Sequence, residues 1–209
     1  MTNIVTLAIV IGTSICSYMA FNDKAMFDKY MFNAYAIKNY KQGYRFLSHA
    51  FIHADWMHLI LNMYVLYSFG TILEGGLFPD SDLFGKKSTL YFILLYTGAI
   101  YGSSLMDYIK NKDNPAYNAV GASGAVSAIV FSVILIMPTS KMGLFFFPSI
   151  PAWIFGALYL IYSFYMERKN IDNIGHGAHA WGALFGFVFT GILKPELFIL
   201  FIQKITQQF

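Results

Sequence analysis

Tyr117-Asn118-Ala119-Val120-Gly121-Ala122-Ser123-Gly124-Ala125-Val126-Ser127-Ala128-Ile129 sets a serine between glycines at the mouth of an apolar run. A serine inside an apolar helix ordinarily bonds back to the carbonyl one turn earlier and has no other role. The flanks of Ser123 set it apart. Gly121 and Gly124 remove side chains on both sides, so a second helix or a substrate backbone can come close, and small residues continue at Ala125, Ser127 and Ala128. A helix starting near Ser123 puts its free N–H groups and positive dipole end beside the hydroxyl, where an oxyanion would form. The soluble hydrolase elbow, G-x-S-x-G between strand and helix, is a different pattern, because no strand-like segment leads in.

The run opened by Ser123 stops before Pro138. Its roughly 15 residues make about 22 Å of helix, against a hydrocarbon core of about 30 Å. Such a helix leaves Ser123 below one membrane surface, on the floor of a cavity. Five further apolar runs lie at about 4–21, 56–73, 89–106, 152–166 and 177–193. The fold class is therefore all-α: a polytopic membrane protein with six transmembrane helices in one bundle spanning 1–209. Pro148 and Pro151 introduce the fifth span, and a short amphipathic tail follows the sixth. The connection 22–55 mixes lysines with Phe, Tyr and Met, which suits a loop lying partly in the membrane interface.

Composition agrees. The chain is 57% hydrophobic and 12% charged with a mean hydropathy of +0.53, where soluble domains carry about 25% charged residues. The net charge of +3 is spread over loops. No basic block points to nucleic acid, so the bilayer is the expected partner. Cys16 is the single cysteine, which excludes an internal disulfide. No lysine or arginine precedes the first run, which reads as a retained span rather than a signal peptide. Lysine and arginine counts, taken alone, put the connections 22–55 and 107–118 on the cytosolic side.

Ionisable groups inside spans are functional candidates by default. All five histidines fall in two clusters: His49, His53 and His58, then His176 and His179. Asn62 follows His58 by four residues and shares its helix face. His179, Gly182 and Gly186 also share one face, and the Gly182-x-x-x-Gly186 pair allows close helix approach. Its natural partner is the small face Gly124, Ser127 and Ala128, which would bring His179 to Ser123. A serine needs an adjacent base to become a useful nucleophile. His58, Asn62 and the Ser123 N–H can donate to a developing oxyanion. No carboxylate lies near His179 in sequence, so a Ser-His dyad is expected rather than a triad. This chemistry needs no metal or organic cofactor. His49, His53 and Glu74 read as structural groups, and His176 as an exposed loop residue.

The constellation resembles the rhomboid intramembrane serine proteases. The matching pieces are the histidine-rich stretch ending in His58-x-x-x-Asn62, Gly121-Ala122-Ser123-Gly124, and Ala178-His179 followed by Gly182-x-x-x-Gly186. The similarity implies a six-helix bundle that cuts transmembrane segments of other proteins, with Ser123 as nucleophile, His179 as base, and His58 and Asn62 serving the oxyanion. It also implies cytosolic termini, against the lysine count, and the family orientation is adopted. A bacterial plasma membrane is expected from the compact six-span form. Two positions depart from the family pattern. Tyr44-Arg45 replaces a frequent Trp-Arg. Ser127 stands where some members have a tyrosine stacking on the histidine, so Tyr64 or Trp181 becomes a candidate for holding the imidazole. Two other readings compete: a catalytically inactive rhomboid-like protein that binds transmembrane helices, and a membrane metal or haem protein using the five histidines. The second lacks H-E-x-x-H.

Overall fold

A computed structural model describes residues 3–80, 82–143, 149–169 and 175–208. Ten α-helices account for most of them. These are α1 (Ile4–Asn22), α2 (Lys24–Tyr30), α3 (Ala34–Tyr40), α4 (Arg45–Ser48), α5 (Trp56–Ile72), α6 (Ser88–Asn111), α7 (Ser123–Ile136), α8 (Ala152–Lys169), α9 (His176–Leu193) and α10 (Glu196–Thr206). The expectation of an all-α protein holds apart from a two-residue antiparallel pair, β1 (Lys141–Met142) with β2 (Ile150–Pro151), and a bridge from Phe32 to Ala119. Pro148 lies outside the described residues.

Among the described residues, three stretches are long and apolar enough to cross a membrane: Ile4–Asn22, Trp56–Leu77 and Gly85–Asn111. The pair α9 and α10, bent by 112°, adds a fourth if taken as one span. This is a membrane protein, but length and composition alone identify fewer than the six spans expected. The physical reason lies in the remaining helices. α7 has only 14 residues, and α8 ends in Glu167, Arg168 and Lys169.

α7 is the centre of the bundle. Every residue after Ser123 is buried, from Gly124 to Ile136. That all-round apolar burial is what a helix enclosed by other helices requires. α9 packs closest to it, because Gly182 and Gly186 have no side chains. A Cβ on Gly182 would overlap the Gly124 carbonyl oxygen, and one on Gly186 would overlap that of Ala128. Close backbone approach between small residues is how helices associate where lipid competes for apolar contact. A polar seam runs through the same contact. Thr190 donates to Ser132 Oγ at 2.8 Å, and Ser132 bonds the carbonyls of Ala128 (2.9 Å) and Gly186 (3.2 Å). Gly186→Val is expected to destabilise the fold by about 1–3 kcal/mol, because the methyl groups have no space beside the α7 backbone. A thermal unfolding midpoint in detergent equal to that of the wild type would contradict this packing.

The outer helices are tied to this core by their ends. Glu74, 5% exposed, accepts the N–H groups of Val5 (2.9 Å) and Thr6 (2.7 Å) and so caps α1, the structural duty expected of it; a carboxylate there also meets the positive dipole end. Glu167 at the end of α8 pairs with Lys110 of α6 and accepts the Gly177 N–H of α9 at 2.9 Å. Lys204 of α10 donates to the Ile136 carbonyl at 3.0 Å, satisfying the C-terminal end of α7.

The connection 22–55 is not the loop expected from its composition but a helical cap containing α2, α3 and α4. Arg45 holds it together. Its guanidinium donates to the carbonyls of Asp28 (3.0 Å) and Met31 (2.6 Å) and to Gln42 Oε1 (2.6 Å). Tyr44, at the position of the family's tryptophan, lies beneath the Arg45 guanidinium (5.7 Å) and donates its hydroxyl to the Lys29 carbonyl at 3.2 Å. The change to tyrosine thus keeps a cation–π partner for the arginine.

Candidate active site

Ser123 is the first residue of α7, and Gly121 just ahead of it has φ +113°. That backbone conformation suits glycine and little else. A Cβ there would also come within 2.6 Å of the His58 ring. Gly121 is therefore required twice, for the turn into α7 and for the imidazole that packs on it.

The segment ahead of Ser123 is held along its length by the helical cap. Phe32 and Ala119 exchange backbone hydrogen bonds of 2.8 and 3.1 Å, and the Gly121 N–H donates to the His49 carbonyl at 2.9 Å. The Ala122 N–H donates to His53 Nε2 at 3.4 Å. His53 Nδ1 lies 2.9 Å from Ser17 Oγ, which itself donates to the Phe51 carbonyl at 3.1 Å. With Nε2 accepting, Nδ1 carries the proton and donates to Ser17. His49 and His53 are buried structural groups, as expected, yet their work is specific: they hold the residues that present Ser123.

Burial lowers the pKa of His49 to about 4 and that of His53 to about 3. In the unfolded chain both take up a proton near the ordinary value of about 6.5. The unfolded state therefore binds more protons below that pH, and stability falls as the pH drops from about 6.5 toward the folded values. By pH ~5 the loss reaches about 2 kcal/mol for each histidine. Unfolding midpoints measured between neutral and mildly acidic pH are expected to fall steeply, and less so in His49→Gln. A flat profile would show that neither ring is kept neutral by burial.

Opposite this segment, α9 carries His179 to Ser123. His179 Nε2 stands 2.7 Å from Ser123 Oγ, within the reach a general base needs. Gly124 allows the meeting, since a Cβ on it would overlap Ser103 Oγ and come within 3.2 Å of the Ala178 carbonyl. The pair lies in a cavity of about 1750 Å³ whose lining includes His58, Asn62, Ser103, Ser123, Tyr159 and His179. Asp55 caps α5 by accepting the His58 N–H at 2.8 Å. Asn62 donates one amide hydrogen to the His58 carbonyl at 2.9 Å. The four residues singled out from sequence are thus assembled around one cavity.

Residues 40–196 match the family model of the rhomboid domain. The chain belongs to the rhomboid family. Among its relatives are the mitochondrial RHOMBOID-like protein 12 of Arabidopsis thaliana, 26% identical over 86% of this chain, and the chloroplastic Rhomboid-like protein 11 of the same plant, 29% identical over 77%. The mitochondrial Presenilin-associated rhomboid-like protein A of Danio rerio is 26% identical over 68%. The chain spans 55% and 56% of the two plant proteins and 35% of the fish protein.

Three expectations need correction in this rhomboid. Ser127 does not face α9; its Oγ lies 2.6 Å from the hydroxyl of Tyr159 on α8. The ring packed near-parallel to the imidazole is Tyr159 as well, offset from it with centroids 6.5 Å apart and planes 21° from parallel. Trp181 instead meets Phe164 edge-on, and Tyr64 is half-exposed on α5. Finally, His176 is no exposed loop residue. It opens α9, is 4% exposed, and meets His179 edge-on at 5.9 Å. Spacing along the chain carries no sign of Tyr159, because α8 meets α7 and α9 only in the folded bundle. Among the described residues no three His, Cys, Asp or Glu side chains are grouped to hold a metal ion.

Proposed function

We propose that this rhomboid is an intramembrane serine endopeptidase that cuts transmembrane segments of other membrane proteins through a Ser123–His179 dyad. The single observation carrying the reading is the 2.7 Å approach of Ser123 Oγ to His179 Nε2 inside a cavity. His179 takes the hydroxyl proton as Ser123 attacks the scissile carbonyl. The oxyanion forms at the start of α7, where the Ser123 N–H, His58 and Asn62 can donate. The protonated His179 then passes the proton to the leaving amine. Water, activated by the same imidazole, hydrolyses the acyl-enzyme. Every proton transfer uses one base, and no cofactor enters the scheme.

Six spans follow from this reading: α1, α5 with its continuation to Leu77, α6, α7, α8 and α9. α7 can be short because it is enclosed by protein on all sides and its N-terminal end opens into the cavity. The substrate is a transmembrane helix approaching from the bilayer past α8 and unwinding locally at the site. With the start of α1 and the helix α10 on the cytosolic side, the cavity opens to the opposite face. A bacterial plasma membrane draws no support from relatives whose names place them in mitochondria and a chloroplast.

The test is activity in the purified, detergent-solubilised protein. A fluorophosphonate or isocoumarin probe is expected to modify Ser123, and a helical transmembrane substrate to be cut within its apolar segment. A protein with a cooperative unfolding transition that neither takes the probe nor cuts such a substrate would overturn the proposal.

A further inference from the structure

Asp107 is a buried charge that the chemistry of the dyad leaves unused. It sits on α6, 6% exposed, in the row Ser103, Ser104, Asp107 and Asn111, which three- and four-residue spacing puts on one helix face. All four line the cavity that holds Ser123 and His179. The row starts beside the first turn of α7, because a Cβ on Gly124 would overlap Ser103 Oγ. Asp107 follows one turn further along α6.

A carboxylate taken out of water is costly unless a cation or a set of donors replaces its hydration. Asp107 is poorly supplied. It accepts the Tyr117 hydroxyl, and it takes part in neither of the two ion pairs found among the described residues. Lys110 and Glu167 are the charged groups whose fields reach it, and these two are paired with each other. The serines of the row turn back on their own helix: Ser103 and Ser104 donate to the Ile100 carbonyl at 3.2 and 2.7 Å. A carboxylate has about four acceptor positions, so one phenol leaves most of them unfilled.

We propose that Asp107 is a specificity-determining residue that takes a lysine or arginine side chain of the substrate bordering the bond cut at Ser123; this rests on the endopeptidase reading above. A cationic nitrogen supplies both the missing counter-charge and the missing donors, and such a charge-assisted bond is about twice as strong as a neutral one. An apolar side chain in the same place would close over the carboxylate with its acceptors empty. That penalty separates the two substrates as much as the attraction does. An acidic side chain would be repelled. Asp107 also ties Tyr117, six residues ahead of Ser123, to α6. Loss of that tie alone would slow every substrate alike, whereas loss of the counter-charge changes the ratio between substrates.

The experiment measures kcat/KM of the purified full chain on helical transmembrane substrates that differ at one position. Each residue bordering the cut bond is occupied in turn by arginine, leucine or glutamate. Wild type is expected to favour arginine over leucine by about 10- to 100-fold at one of these positions, the range of a hydrogen bond to a charged group, and to reject glutamate there. Asp107→Asn keeps the shape and an acceptor for Tyr117, and is expected to bring the arginine and leucine rates together. Tyr117→Phe removes the phenol but keeps the charge, so the arginine preference persists. Should Asp107→Asn lose its cooperative unfolding transition, Asp107→Ser replaces it under the same criterion. Wild type that cuts the arginine and leucine substrates equally at every position overturns the proposal. So does a variant of Asp107 that cuts all substrates more slowly but keeps the arginine preference. Wild type that cuts no member of the set and takes no fluorophosphonate label brings down the endopeptidase reading itself. Labelled, active wild type without the preference removes only the role of Asp107.

Discussion

Ser123→Ala and His179→Ala are each expected to lower kcat/KM for a helical substrate by about 10⁴- to 10⁶-fold, and the double variant by no more than the worse single one. The reason is mutual dependence. The Ser123 hydroxyl is a weak nucleophile until a base takes its proton, and His179 Nε2, 2.7 Å away, is the base within reach. An imidazole without the serine has no acyl group to transfer. Neither change should unfold the protein. Ser123→Ala removes one hydrogen bond at the start of α7, worth about 1 kcal/mol, while the α7–α9 glycine contacts remain. Cleavage of a transmembrane substrate, together with probe labelling and an unfolding midpoint, checks all three statements. A single variant retaining wild-type turnover would remove that residue from the chemistry.

Asn62→Ala is expected to lower kcat by about 10²- to 10³-fold with little change in KM, the signature of a donor used in the transition state. Asn62 is 7% exposed on α5 and lines the cavity with Ser123. It spends one amide hydrogen on the His58 carbonyl, at 2.9 Å. A carboxamide has two, so the second is available to an oxyanion with the side chain already fixed. His58→Ala should be more damaging and less informative. Its ring fills the space over Gly121, so removing it loosens the turn into α7 as well as removing a donor. Steady-state kinetics on Asn62→Ala, with labelling of Ser123 as a control for folding, separates the two effects. A wild-type kcat in Asn62→Ala would leave the oxyanion to His58 and the backbone.

Much of this arrangement is written in local chemistry. Apolar run lengths located six helices to within a few residues: the run beginning at Ser123 became α7, and the run at 177–193 became α9. The G-x-x-x-G spacing of Gly182 and Gly186 named the α7 face they meet, because a glycine face can be matched only by a backbone that comes close. Residue type and four-residue spacing put His58 and Asn62 on one side of α5. The cap over residues 22–55 was less legible. Its helices are short and have little periodicity, and they are held by Arg45 bonds to distant carbonyls rather than by propensity.

Composition, run length and residue spacing were enough for the membrane class, the short helix opened by Ser123, and the identity of the serine, the histidines and the asparagine that face one cavity. All three are properties of neighbouring residues. What holds those groups in place emerged only from the packing of the helices: His53 under the Ala122 N–H, Glu74 over the start of α1, and Tyr159 between Ser127 and His179. Each of these contacts joins residues 20 or more positions apart. Such partners are selected by how the helices pack, and packing leaves no periodic mark along the chain.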